Sequence, residues 1–123
     1  MINKIKVEIK SEFLPKLSDN SESLFFFTYN VIISNNSLKD VQLISRHWNI
    51  EDSLGRKKIV DGEGVIGEKP IIKPGESFEY NSFCPLNSDF GFMNGFYTMR
   101  DENGNLFKAD IPTCGLISSN IKN

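Results

Sequence analysis

Apolar and polar residues alternate along this chain with a period of two, and no window repeats with the period of a helix. Ile5, Val7 and Ile9 alternate with Lys4, Lys6, Glu8 and Lys10, the pattern of a strand with one face in the core and one in water. Residues 11–23 are polar and broken by Pro15, Asp19 and Asn20, so they read as a loop, with Phe13, Leu14 and Leu17 tucked down. Residues 24–34 form the strongest predicted strand. Phe25, Phe27, Tyr29, Val31 and Ile33 share one face, while Thr28 and Asn30 mark the other, which Phe26 and Ile32 keep partly apolar. Aromatic and β-branched side chains crowd a helical surface but fit a pleated one. Asn35-Asn36 then supplies a turn.

Residues 41–50 read as a two-sided strand, with Val41 and Leu43 on one face and Ile44, Trp48 and Ile50 on the other. A turn at 52–55 leads to a return strand over 56–61 and then to a glycine-rich loop over 62–67. Pro70 and Pro74-Gly75 bracket a short extended piece at Ile71-Ile72. Residues 77–82 carry Phe78 and Tyr80 on one face, and a loop follows through Pro85 and Asp89. Residues 91–100 form a strand that turns at Asn103-Gly104. The return strand over 106–111 points Phe107, Ala109 and Ile111 inward, and Pro112 is expected to end it. Turn signals recurring at roughly 8–15 residues indicate an all-β fold of about seven or eight antiparallel strands in two packed sheets. The best match is a sandwich of the immunoglobulin or fibronectin type III kind. It is expected to be one domain over residues 1–123, with its core over about 5–116 and a polar tail at 117–123.

Composition narrows the function classes. At 39% hydrophobic and 24% charged residues, the chain suits a packed core rather than a disordered polymer. Residues 1–60 carry 9 basic and 7 acidic side chains, and residues 61–123 carry 5 and 9. Neither half has the dense basic patch that nucleic acid requires, nor a basic amphipathic stretch for a membrane surface. No run of about 18 apolar residues could cross a bilayer, and the N-terminus lacks the apolar segment of a signal peptide. The expected setting is the cytoplasm, with Cys84 and Cys114 as reduced thiols.

Few residues present themselves for chemistry. Gly62-Glu63-Gly64-Val65-Ile66-Gly67 fits G-x-G-x-x-G, but a dinucleotide site also needs a following helix, which Glu68-Lys69-Pro70 forbids. Two other uses of the loop stay open. Its amides form an anion nest for a phosphate, with Lys57, Lys58 and Lys69 assisting and Asp61, Glu63 and Glu68 opposing, or its glycines turn a sharp corner between sheets. The three carboxylates lack the spacing of a cation-binding loop. His47 is the only histidine, read as a hydrogen-bonded strand residue rather than a zinc ligand or the base of a cysteine nucleophile. Arg46 and Trp48 share a face, which is either an exposed binding stripe or, for Trp48, the core. Phe90, Phe92, Phe96 and Tyr97 exceed what one strand end must bury, so an exposed aromatic patch competes with a filled core.

In order along the chain stand Phe27-Thr28-Tyr29, Val41-Gln42-Leu43 with Arg46-His47-Trp48, and the block from Asp61 to Gly67. Then come Pro70, the block from Lys73 to Tyr80, Met93-Asn94-Gly95-Phe96-Tyr97-Thr98-Met99, Phe107, and Ile111-Pro112. Together they resemble the bacterial ApaG family from about Val7 to Leu116. Lys69 stands where that family usually has Gln, and Cys114 where it has an aromatic. The resemblance implies a fibronectin type III-like sandwich with no established enzyme activity, and carries the glycine motif onto Gly62, Gly64 and Gly67. Similar domains occur in eukaryotic F-box proteins and in a DNA-polymerase-delta-interacting protein, where they look like protein-interaction modules. Bacterial members are linked to diadenosine tetraphosphate metabolism and to cobalt and magnesium tolerance.

The expectation is therefore a non-catalytic interaction module with no cofactor, no resident metal and an unidentified protein partner. Its candidate binding residues are Gly62, Glu63, Gly64, Gly67, Glu68 and Lys69, with Arg46, His47, Phe92 and Phe96 as a further surface. The rival is a binder of pyrophosphate-type anions, bridged by a divalent cation, at the glycine loop. Pairing of free sheet edges into a homodimer is a third route to a partner.

Overall fold

Eight strands build two antiparallel sheets in the computed structural model, which describes residues 4–118. They are β1 (Ile5–Phe13), β2 (Phe25–Asn35), β3 (Val41–Asp52), β4 (Lys57–Glu63), β5 (Ile71–Ile72), β6 (Ser77–Leu86), β7 (Phe90–Arg100) and β8 (Leu106–Ile117). The smaller sheet has the order β1-β2-β6. The larger runs β4-β3-β7-β8, with β5 also paired to β3. The fold is an all-β sandwich of the immunoglobulin and fibronectin type III kind.

The inner faces follow the predicted alternation. Phe25, Phe27, Tyr29, Val31 and Ile33 are buried along β2, facing Leu43, Trp48, Met93, Tyr97 and Met99 of the larger sheet. Four aromatic rings tie the sheets together. Tyr29 meets Trp48 edge-on at 5.3 Å and Tyr80 at 6.4 Å, and Trp48 meets Tyr97 at 6.3 Å. The hydroxyls of Tyr80 and Tyr97 share a buried hydrogen bond of 2.5 Å. Burial pushes both phenol pKa values above their ordinary value.

Several element boundaries differ from the expectation, always because pairing overrode a local signal. β1 runs on to Phe13, since Ser11–Phe13 pair with Phe27–Tyr29. Two short 3-10 turns, Pro15–Leu17 and Asn20–Glu22, follow. Phe13 packs on Phe27, but Leu17 is 56% exposed and not tucked in. Pro85 lies within β6 and Pro112 within β8, each on an edge strand, where a missing N–H is tolerated. β8 carries an extra residue around Pro112-Thr113, which moves Cys114 and Leu116 to the inner face after Ile111. It continues through Ile117 to buried Ser118, and the rest of the expected tail lies outside the described residues.

The two-sided reading of β3 is corrected. Its register with β7 shifts between Leu43 and Ser45, so Ile44 is an extra, bulged residue. The bulge reverses the alternation, and Val41, Leu43 and Trp48 all face the core. Arg46 lies on that same inward face, and His47 points outward.

Candidate functional site

The bulge of β3 and the glycine motif are two halves of one corner. β4 pairs with β3 from Ser45 to Glu51, and β5 pairs with it at Val41-Gln42, so both occupy the same edge. The chain leaves that edge after Glu63 and returns at Pro70, whose carbonyl accepts from the Leu43 amide at 3.0 Å. Between them is a tight two-residue turn. Val65 and Glu68 exchange both backbone hydrogen bonds at 2.9 Å, around Ile66 and Gly67 with φ of 42° and 79°, the positive values a hairpin turn of this kind demands. Val65 is buried and anchors the turn to the core, which contributes about 1.5–3 kcal/mol.

The expected loop over 62–67 is therefore shorter, because Gly62 and Glu63 belong to β4. Each glycine answers a different constraint. Gly62 pairs with Arg46, and a Cβ there would meet the Arg46 guanidinium at 2.5 Å. Gly64 has φ of 61°, and a Cβ would lie 2.2 Å from the Glu68 carbonyl oxygen. Gly67 needs only its positive φ and faces open space. The amide of Gly64 donates to the carbonyl of Ile44 at 2.8 Å, and those of Val65 and Glu68 bond each other's residue. Three of the amides that an anion nest would use are thus committed within the corner.

Arg46 locks the corner from the inside. Its Nη1 donates to the carbonyls of Glu63 at 3.2 Å and Gly64 at 2.8 Å. The acidic residues of the region are dispersed. Asp61 takes His47, with Nδ1 and Oδ1 2.6 Å apart. Glu63 accepts from Lys69 Nζ at 2.7 Å, and that bond together with the lysine charge holds its carboxyl below the usual value. Glu68 is exposed at the turn. No group of three or more His, Cys, Asp or Glu side chains converges on a cation-sized site among the described residues.

His47 lies outward on β3, whereas Cys84 and Cys114 are buried inside the sandwich as free thiols. The sheet thus separates the histidine from both sulfurs, and no cysteine–histidine pair exists among them. Burial pushes the Cys84 thiol up to about 11.

The outer face of the larger sheet gathers most of the remaining candidates. Asp61, His47, Phe96 and Asp110 stand in one row across β4, β3, β7 and β8. The His47 and Phe96 rings stack at 4.7 Å with 16° between their planes. Lys108 Nζ lies 4.3 Å from the centre of the Phe96 ring, a cation–π arrangement. The next row is amide-rich. His47 Nε2 is 3.3 Å from Asn49 Oδ1, Asn49 donates to Asn94 at 3.3 Å, and Asn94 donates to Thr113 at 3.2 Å. Beside it Phe92 is 39% and Ile59 63% exposed. Of the aromatic cluster read from sequence, Phe90 and Phe92 are exposed, Phe96 is half-buried, and Tyr97 is fully buried.

The structure thus brings His47, Phe96 and Phe92 onto one face, bordered at the β4 end by Glu63 and Lys69. It does not place Arg46 there, because the bulge turns that side chain inward. Trp48, its neighbour on the proposed stripe, is a core residue with 2% exposure. The Asn49–Asn94–Thr113 row was missed. Its only sequence signal was polar residues at outward positions of β3 and β7, and strand pairing was needed to align them.

Comparison with known proteins gives consistent matches. The family model described as the ApaG domain matches residues 15–101. The protein named ApaG of Beijerinckia indica is 46% identical over 114 residues, covering 93% of this chain and 88% of that protein. Its namesake from Bradyrhizobium diazoefficiens is 44% identical over 118 residues, covering 96% and 91%. The crystal structure of a Bordetella pertussis protein described as an ApaA protein superposes with a TM-score of 0.91 at 39% identity, covering 94% of each chain.

Proposed function

The chain belongs to the ApaG family, and from that premise we propose that it is a non-catalytic interaction module. Its docking surface is the outer face of the β4-β3-β7-β8 sheet, centred on the His47–Phe96 stack. The observation that carries this reading is the stack itself, at 4.7 Å, with Asp61 on one side and Lys108 on the other. A half-exposed aromatic held in place by its neighbours loses little side-chain freedom on binding, which is what makes such residues effective anchors. The amide row from Asn49 to Thr113 offers polar groups on rigid backbone, and Phe92 and Ile59 add apolar area. The complementary partner is a protein segment with an apolar side chain to lie on Phe96 and charges of both signs to meet Asp61 and Lys108.

A photo-reactive benzoylphenylalanine in place of Phe92 tests this, with the same group in place of Asn81 on the opposite face as control. The expected result in native extract is a discrete cross-linked adduct from position 92 alone. It should be competed away by unlabelled protein and lost in Phe96→Ala, while the melting curve of that variant stays cooperative. No adduct from position 92, equal adducts from both positions, or an adduct that survives Phe96→Ala would overturn the reading.

A further inference from the structure

The sandwich is closed on one side and open on the other. β1 and β8 lie side by side, joined where Ser11 Oγ donates to the Gly115 carbonyl at 2.6 Å. At the opposite side β4 and β6 stand apart, and a cleft of about 500 Å³ enters between the sheets, within the range of about 300–1,000 Å³ usual for small-molecule sites. Its inner wall is apolar, formed by Trp48, Val60, Met93 and Leu86, with Tyr29 and Cys84 beside them. Its charged residues are of nearly one sign. Arg46, Arg56, Lys57 and Lys58 line it against a single acid, Asp52, whose carboxylate already accepts from Arg56 Nε at 2.5 Å. The lining thus carries a net charge of +3 in a chain whose net charge is −2. Lys58, paired with Ile50, lies on the same side of β4 as half-buried Val60 and is exposed at the rim.

The indole N–H of Trp48 is buried and has no hydrogen-bond acceptor among the described residues. Buried donors are nearly always paired, and this one belongs to a side chain that lines the cleft. An apolar wall and a cationic rim are complementary to one kind of molecule.

We propose that this cleft binds a small amphipathic anion, one apolar chain with a single carboxylate or phosphate head. The chain lies against Trp48, Val60 and Met93, and the head is held at the rim by Lys58. This site goes beyond the interaction face: its apolar wall lies on the inner side of β3, and the two surfaces share only Ile50, Lys57 and Lys58 at the β4 edge.

Trp48 is the only tryptophan, so its indole N–H resonance reports on the cleft directly. Decanoate, decyl phosphate and decylammonium are titrated separately into labelled protein. The expected result is a saturable shift with one or both anions and none with the cation, and the two anions identify the preferred head. Lys58→Glu should weaken the anion response at least about tenfold, and the milder Lys58→Gln covers the case in which the reversal fails to fold. Silence from both anions at about 5 mM, a response to decylammonium equal to theirs, or unchanged affinity in the Lys58 variants would overturn the proposal. An acidic peptide that protects the β4 amides while the anions stay silent would assign the cleft to strand addition instead. Phe96→Ala should leave the decanoate titration unchanged, so the two sites fail or stand separately.

Discussion

At Gly64 and Gly67 the same residue type is required for different physical reasons, and substitution separates them. Gly67 has φ of 79° with open space around it, so Gly67→Ala costs only the left-handed backbone, about 1–2 kcal/mol. Gly64→Ala adds a Cβ 2.2 Å from the Glu68 carbonyl oxygen. It must displace backbone as well, for a total of about 3 kcal/mol or more. Urea melts of the two variants should show this order, and equal losses would refute the account. A bulky side chain at Gly64 would therefore report on folding, whatever the turn binds. Other residues act through hydrogen bonds that sequence marks unevenly. Asp52 and Asp101 each accept from the amides two and four residues on, with a positive-φ glycine at the third place. Both hairpins thus use one Asp-x-x-Gly device, legible once the spacing is compared. Asn35, read only as a turn residue, is fully buried. Its side chain donates to the carbonyls of Lys39 and Ile72 and accepts from Ser37, partners that no local pattern announces.

The element that decides most is β3. One extra residue at Ile44 turns Trp48 into the core, Arg46 onto the glycine corner and His47 out to the surface. Because strand side chains alternate strictly, removing that residue must expose either Leu43 or Trp48. It also removes the carbonyl that accepts from Gly64. Deletion of Ile44 is therefore expected to abolish cooperative thermal unfolding, whereas Ile44→Ala, which keeps the backbone, should still melt cooperatively. A cooperative melt near the parent temperature for the deletion would show that the bulge is dispensable. Edge strands explain the two prolines, of which sequence took Pro85 for a loop residue and Pro112 for a strand end. β6 and β8 each end the ladder of their own sheet, so neither Pro85 nor Pro112 interrupts it. With β1 against β8, pairing of free edges between two copies would have to use β4 or β6.

For the whole molecule, the aromatic bridge between the sheets sets a response to alkali. Burial raises the phenol pKa values of Tyr29, Tyr80 and Tyr97 and the thiol of Cys84. In the unfolded chain phenols ionise near 10 and thiols near 8.5. An acid whose pKa is raised by folding stabilises the native state fully below its unfolded value, and that contribution is lost as pH climbs above it. Stability should therefore be flat up to about pH 8 and fall beyond pH 9–10. Each phenol that stays neutral costs about 1.4 kcal/mol per further pH unit. Urea midpoints between pH 8 and 11 check this, and Tyr97→Phe should flatten the decline. A midpoint independent of pH across that range would mean the phenols are not held neutral.

The alternation of side chains determined by itself that the chain is all-β, which residues of β2 fill the core, and where most turns fall, because a period of two and a glycine or aspartate in a turn are local properties. The family was legible for the same reason, as an ordered set of short motifs. What the tertiary structure alone decided is which side of the sheet the candidate residues occupy. Parity in a strand is reset by a single bulged residue, and a bulge is stabilised by its neighbours: the Gly64 amide on Ile44 and the Arg46 guanidinium on the glycine corner. The aromatic stack joins residues of two strands, and the amide row and the open cleft join three or more, and sequence distance carries no record of such pairings.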